Sequence, residues 1–107
     1  MNDKEYMMMA LEEARLAAGE GEVPVGAVLV KDDEVLARTH NRREASGNPL
    51  DHAELLALKE GTSRLGGWRL DDSTLYVTLE PCPMCAGALV QARVARLVFG
   101  ARDMKLG

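Results

Sequence analysis

The chain has 107 residues, 47% of them hydrophobic and 28% charged, which suits one small globular domain over residues 1–107 rather than a disordered or fibrous chain. No apolar run approaches the roughly 18–20 residues that cross a bilayer, and the charged start Met1–Glu5 lacks the apolar stretch of a secretion signal, so no membrane and a cytoplasmic address are expected. A formal net charge of −4 excludes a broadly basic surface, though not a local patch such as Arg42-Arg43 or Arg102 with Lys105.

Between Lys4 and Ala18 the residues Met7, Ala10, Leu11, Ala14, Ala17 and Ala18 recur at helical spacing. They predict a helix with one buried stripe, ended by Gly19 and Gly21. Met8 and Met9 widen that apolar face as core filler. Val25–Val30, the turn Lys31-Asp32-Asp33 and a strand begun by Val35 and Leu36 read as a hairpin. Asn41–Pro49 is polar and reads as a loop. Asp51 is placed to cap a second helix through Leu55, Leu56 and Leu58 to about Glu60, with Gly61 as its stop. Leu75–Leu79 is a buried strand broken by Pro81, and Pro83 suits the first turn of a third helix reaching about Ala92. Leu97-Val98-Phe99 is the last strand, ended by Gly100. The order is α-β-β-α-β-α-β, and the β-α-β crossover formed by the segments after the hairpin implies parallel pairing with helices packed on the sheet.

Two stretches carry the chemistry: His52-Ala53-Glu54 and Pro81-Cys82-Pro83-Met84-Cys85. Cysteines three apart in the first turn of a helix lie on one face, where the helix N-terminus favours thiolate. One imidazole would complete a three-ligand set with an open fourth position, the pattern of catalytic zinc. The spare candidate for a fourth ligand, His40, follows a strand well before the motif. A Cys-x-x-Cys also serves as a thiol redox pair, or as half of a structural zinc site. Glu54 is equally ambiguous. With Asp51 as cap it falls at the third helical position, where it would close a capping box, and residues i and i+2 of a regular helix point apart. Spacing leaves both readings open.

His-x-Glu followed by Pro-Cys-x-x-Cys is the signature of zinc-dependent nucleobase deaminases. Within that superfamily the chain resembles the bacterial tRNA-specific adenosine deaminases. The similarity runs through Glu22–Val28 (EVPVGAV), His40-Asn41-Arg42, Thr74–Ala88 (TLYVTLEPCPMCAGA) and Val98–Lys105 (VFGARDMK). The resemblance implies an α/β, three-layer, cytidine-deaminase-like fold whose mixed sheet has helices on both faces. It implies one Zn²⁺ per chain on His52, Cys82 and Cys85, with Glu54 as proton shuttle. Asn41 resembles the loop asparagine that hydrogen-bonds the base, and backbone N–H groups near Ala53 and Cys82 would meet the base or the reacting water. Glu80 reads as structural. The activity implied is adenosine-to-inosine deamination in an anticodon stem-loop of tRNA, by a homodimer.

Members of that family continue beyond the position of Gly107 through a further strand and a terminal helix, so part of the substrate surface and one sheet edge are expected to be missing. Pro83-Met84 also occurs in the related guanine deaminases, which keeps a free-nucleobase deaminase of guanine or cytosine type as an alternative. A non-catalytic zinc module or inactive fragment is another.

Overall fold

A computed structural model of the chain describes residues 1–102, so Lys105 and the end of the VFGARDMK block lie outside the described residues. The described elements are α1 (Asp3–Gly19), β1 (Gly26–Lys31), β2 (Glu34–His40), α2 (Arg43–Ser46), α3 (Ala53–Leu65), β3 (Ser73–Leu79), α4 (Pro83–Gln91) and β4 (Arg96–Ala101). Their sheet order is β2-β1-β3-β4. β1 pairs antiparallel with both β2 and β3, and β3 pairs parallel with β4, so the sheet is mixed as expected.

The hairpin turns at Asp32 and Asp33, whose φ values of 52° and 60° give the two left-handed residues of a tight two-residue turn. β1 lies between two strands and is buried on both faces, which is why Val25–Val30 reads as a continuous apolar run rather than an alternating one. Its residues sort to two cores. Ala27 and Leu29 pack with Leu75, Val77 and the α3 residues Ala57 and Leu58. Val28 and Val30 pack on the opposite face with Tyr76 and the α1 residues Tyr6 and Ala10. With α3 and α4 on one side of the sheet and α1 on the other, the three layers follow.

The buried line of α1 is Tyr6, Ala10, Glu13, Ala14 and Ala17; Leu11 and Ala18, expected inside, are exposed, as is Met8. The stripe is rotated because small residues must face β1. A Cβ on Gly26 would run into the carbonyl oxygen of Ala10 and come within 2.6 Å of Ala14 N. Such close approach of helix and strand needs alanine on one and glycine on the other. α1 also begins with a capping box that the sequence reading missed: Asn2 Oδ1 accepts from Glu5 N at 2.9 Å, and Glu5 Oε1 accepts from Asn2 N at 3.2 Å.

Three boundaries differ from expectation. The Asn41–Pro49 segment contains α2. Gly61 does not stop the second long helix; it lies buried inside α3, facing Leu29, where an added Cβ would strike that side chain, and the helix ends at Gly66 with φ 76°. Gly100 lies within β4, where a Cβ would come within 2.9 Å of Thr78 O on the neighbouring strand. In the last two cases a glycine that reads locally as a breaker is retained for space. No helix among the described residues is long and apolar enough to cross a membrane.

Candidate metal centre and its cavity

β3 delivers the chain to the site. Cys82 is the N-cap of α4 with extended dihedrals (φ −68°, ψ 168°), Pro83 fills the first helical position, and Cys85 follows one turn later. His52 is likewise the N-cap of α3, also extended (φ −72°, ψ 153°). Two helix N-termini therefore converge, each with its positive end toward the same point, an arrangement that favours sulfur as thiolate.

His52 Nδ1 stands 3.8 Å from Cys82 Sγ and 3.6 Å from Cys85 Sγ. All three ligand atoms lie within 4.8 Å of one another. Zinc–nitrogen and zinc–sulfur bonds of about 2.0–2.1 and 2.3 Å at a tetrahedral angle would put nitrogen and sulfur about 3.6 Å apart. The donor set and its spacing fit a tetrahedral cation. Burial and the nearby Arg43 charge lower the basicity of His52, favouring the neutral ring that ligates metal. Burial, helped by the charges of Glu54 and Cys82, pushes the Cys85 thiol far up. Cys85 is fully buried, and a cation beside it would draw out the thiolate. His40, the spare histidine, is engaged elsewhere: Nδ1 meets Glu13 and Nε2 meets Glu20, each at 2.9 Å.

Because His52 rather than Asp51 is the cap, Glu54 falls at the second helical position and the anticipated capping box does not form. The same fact removes the geometric difficulty with His-x-Glu. His52 stands outside the helix, so the regular divergence of i and i+2 does not apply. Glu54 is 4% exposed, and its Oε1 is buried without a hydrogen-bond partner. Burial raises its pKa; its own backbone N–H and the Cys85 thiol oppose the rise only in part. An unmet buried carboxyl is costly in a finished core and is found where a ligand or water is meant to arrive.

Beside these groups lies a cavity of about 130 Å³ lined by Asn41, Ala53, His52, Glu54 and Cys82, with Val23, Val25, Arg43, Leu79 and Glu80 completing its wall. Asn41 is 5% exposed; its N–H donates to Val25 O at 3.1 Å, and its Oδ1 accepts from Arg43 N at 3.1 Å. Of the residues expected at the site, Asn41, His52, Ala53, Glu54 and Cys82 line this cavity, and Cys85 joins it through its grouping with His52 and Cys82. Val23, Val25 and Arg43 were not singled out for it, although Val23 and Val25 fall in the EVPVGAV stretch and Arg43 beside the HNR stretch. Glu80, expected to be structural, is also part of the wall. A larger groove of about 510 Å³ runs along β2 past Arg38, His40, Lys59 and Arg64, but it contains none of the metal-ligand set. The candidate metal-ligand group lies at the smaller cavity.

The chain matches the MafB19-like deaminase family over residues 1–106, and it belongs to that family. It is 55% identical over 105 residues to the tRNA-specific adenosine deaminase of Bacillus subtilis, covering 98% of this chain and 65% of the relative. To the tRNA-specific adenosine deaminase of Streptococcus pyogenes serotype M18 it is 45% identical over 102 residues, covering 95% of this chain and 64% of the relative. The chain therefore spans a little under two thirds of the length of these bacterial relatives. A structure solved in work on A-to-I editing by tRNA:A34 deaminases at the wobble position of transfer RNA superimposes with a TM-score of 0.95 at 47% identity, over 97% of this chain and 75% of that one. The guanine deaminase of Bacillus subtilis superimposes with a TM-score of 0.93 at 37% identity, over 95% of this chain and 66% of that one. The cytidine-deaminase-like α/β fold expected from the sequence is borne out.

Proposed function

We propose that residues 1–107 form a single zinc-dependent deaminase domain that hydrolyses adenosine to inosine at the wobble position of a tRNA anticodon loop. The observation that carries this reading is the meeting of a tetrahedrally spaced His-Cys-Cys set with a buried carboxyl whose Oε1 has no partner. In this reading His52, Cys82 and Cys85 hold the ion. Zinc, when bound, supplies the Lewis acidity that makes water a usable nucleophile near neutral pH. Glu54 takes a proton from that water and delivers it to the ring nitrogen beside C6, then carries a second proton to the departing amino group. Water and adenosine thus become inosine and ammonia. A carboxyl with a raised pKa suits this shuttling, since it must both accept and return a proton near neutrality.

Asn41 and the backbone N–H of Ala53 line the cavity and orient the base, while the apolar walls Val23, Val25 and Leu79 exclude water. A base reaches such a cavity only when unstacked, which favours a nucleotide splayed out of a loop. Homodimerisation and a cytoplasmic location belong to the same reading. The exposed apolar residues Met84 and Val90 on α4 are consistent with a partner subunit.

The second reading, a free-purine deaminase, draws on the similarity to the guanine deaminase of Bacillus subtilis and on Pro83-Met84. One experiment separates them. Zinc content, ammonia release and inosine formation are measured on an anticodon stem-loop, with free guanine in parallel. The proposal expects one zinc per chain and inosine in the RNA. Xanthine from guanine without inosine overturns it in favour of the second reading. One bound zinc with neither product leaves a non-catalytic metal module.

A further inference from the structure

Glu22 is a buried carboxylate, 5% exposed, that takes no part in the chemistry described above. It follows the end of α1, where its N–H donates to Ala17 O at 3.0 Å. Its two oxygens accept from Glu44 N at 3.0 Å and Ala45 N at 2.7 Å. These are early N–H groups of α2, whose own cap residue, Arg42, contributes no side-chain hydrogen bond. A residue twenty-odd positions earlier therefore does the capping. Burying a carboxylate costs free energy unless it is well hydrogen-bonded, and hydrogen bonds to a charged acceptor are the stronger kind.

What these bonds hold is the rim of the cavity. The N–H groups of Arg43, Glu44 and Ala45 all end on side-chain oxygens, the first on Asn41 and the next two on Glu22. Arg42 N donates to Asp51 O at 3.0 Å, joining the same segment to the residue before His52. Val23 and Val25, just beyond Glu22, line the same cavity as Asn41 and Arg43. Glu22 thus ties the stretch that carries Val23 and Val25 to the segment that carries Asn41 and Arg43.

We propose that Glu22 is a positioning residue: it fixes the Asn41–Ala45 segment so that Asn41 and Arg43 stand ready for substrate. The inference rests on the deaminase reading for its kinetic consequence, while the anchoring itself is independent of activity. Glu22→Gln loses the charge and turns one acceptor into a donor facing an N–H group. Losing hydrogen bonds to a charged group amounts to roughly a tenfold or greater loss of affinity.

The test compares wild type with Glu22→Gln and with Glu22→Asp, which keeps the charge but is one methylene shorter. Amide exchange at Glu44 and Ala45 should accelerate about tenfold or more in Glu22→Gln and less in Glu22→Asp, with exchange in β1 and β3 and zinc stoichiometry unchanged. On an anticodon stem-loop the KM should rise by a similar factor while kcat changes little, and in an Asn41→Ala background the same substitution should add little further. Unchanged exchange in both variants overturns the proposal, as does a KM within twofold of wild type or full additivity with Asn41→Ala. Equal loss of kcat, zinc and melting temperature also overturns it, leaving Glu22 as general scaffolding. A wild-type chain that makes no inosine sinks the deaminase reading instead, and the exchange contrast still decides whether Glu22 anchors the segment.

Discussion

The two sides of the sheet treat their titratable groups in opposite ways. On the α1 side, pairing drives Asp3 and His40 toward their charged forms. Asp3 accepts from Tyr76 Oη at 2.6 Å and from the Arg96 guanidinium, chiefly the latter holding its carboxyl down at about 2. His40 would be lowered by burial, but its hydrogen bonds to Glu13 and Glu20 raise it instead. Around the metal centre, burial drives groups toward neutrality: Glu54 and Cys85 up, His52 down. One side carries its own counter-charges, and the other is arranged for charges the chain does not supply. The two tyrosines on the α1 side are exceptions, both raised toward neutrality: Tyr76, which donates to Asp3, and Tyr6, whose buried hydroxyl has no partner and for which the structure offers no reason.

If that contrast is right, removing charge should do different things on the two sides. The largest effect belongs to Glu54→Gln. It removes the group proposed to shuttle protons, so activity on a stem-loop should fall by at least about 10²–10⁴-fold. The carboxyl has no partner on Oε1, so the melting temperature of the variant should equal or exceed that of wild type, with zinc retained. Full activity, or a large loss of stability, would reduce Glu54 to a structural acid.

Next comes Cys85→Ser, which should separate metal from scaffold. A ligand at about 100 times its Kd stabilises the folded state by about 2.7 kcal/mol. At about 4–8 °C per kcal/mol for a domain near this size, chelating the metal should lower the wild-type melting temperature by about 10 °C or more. In Cys85→Ser the chelator should have almost no effect, because little metal is bound. Equal zinc stoichiometry and equal chelator sensitivity in the two proteins would remove Cys85 from the ligand set.

The contrast itself was only half legible in the sequence. Helical periodicity located α1, and apolar runs bounded by turn residues, prolines and glycines located the other long helices and the four described strands. The resemblance then singled out His52, Glu54, Cys82, Cys85, Asn41 and Ala53; all but Cys85 line one cavity, and Cys85 lies with His52 and Cys82. Local rules failed where long-range packing decided the outcome. Gly61 and Gly100 look like stops, yet each is small because Leu29 or the Thr78 carbonyl presses on it. Asp51 looks like a cap, yet its backbone is committed: its carbonyl accepts from Arg42 N and its N–H donates to Asn48 O at 3.1 Å, leaving His52 to open the helix. α2 escaped notice because its cap, Glu22, lies far away in the sequence. Partners so distant in the chain leave no local signal.

The smallest effect sharpens the other half of the comparison. Asp3 binds a proton less readily in the folded protein than in the unfolded chain, where its pKa is near the ordinary 3.8. A carboxyl depressed in this way adds stability above its unfolded pKa and loses that contribution as the pH falls through its folded value. Asp3→Asn should therefore melt below wild type by a constant margin from neutral pH down to about 5, and the margin should close between about 4 and 2. Because Asp3 and Arg96 are about half exposed, the margin should also shrink with added salt. Tyr76, whose hydroxyl is pushed up to about 12 by burial and by Asp3, stays a donor throughout that range. A margin that persists unchanged at pH 2 would mean that Asp3 acts through its position at the start of α1 rather than through its charge.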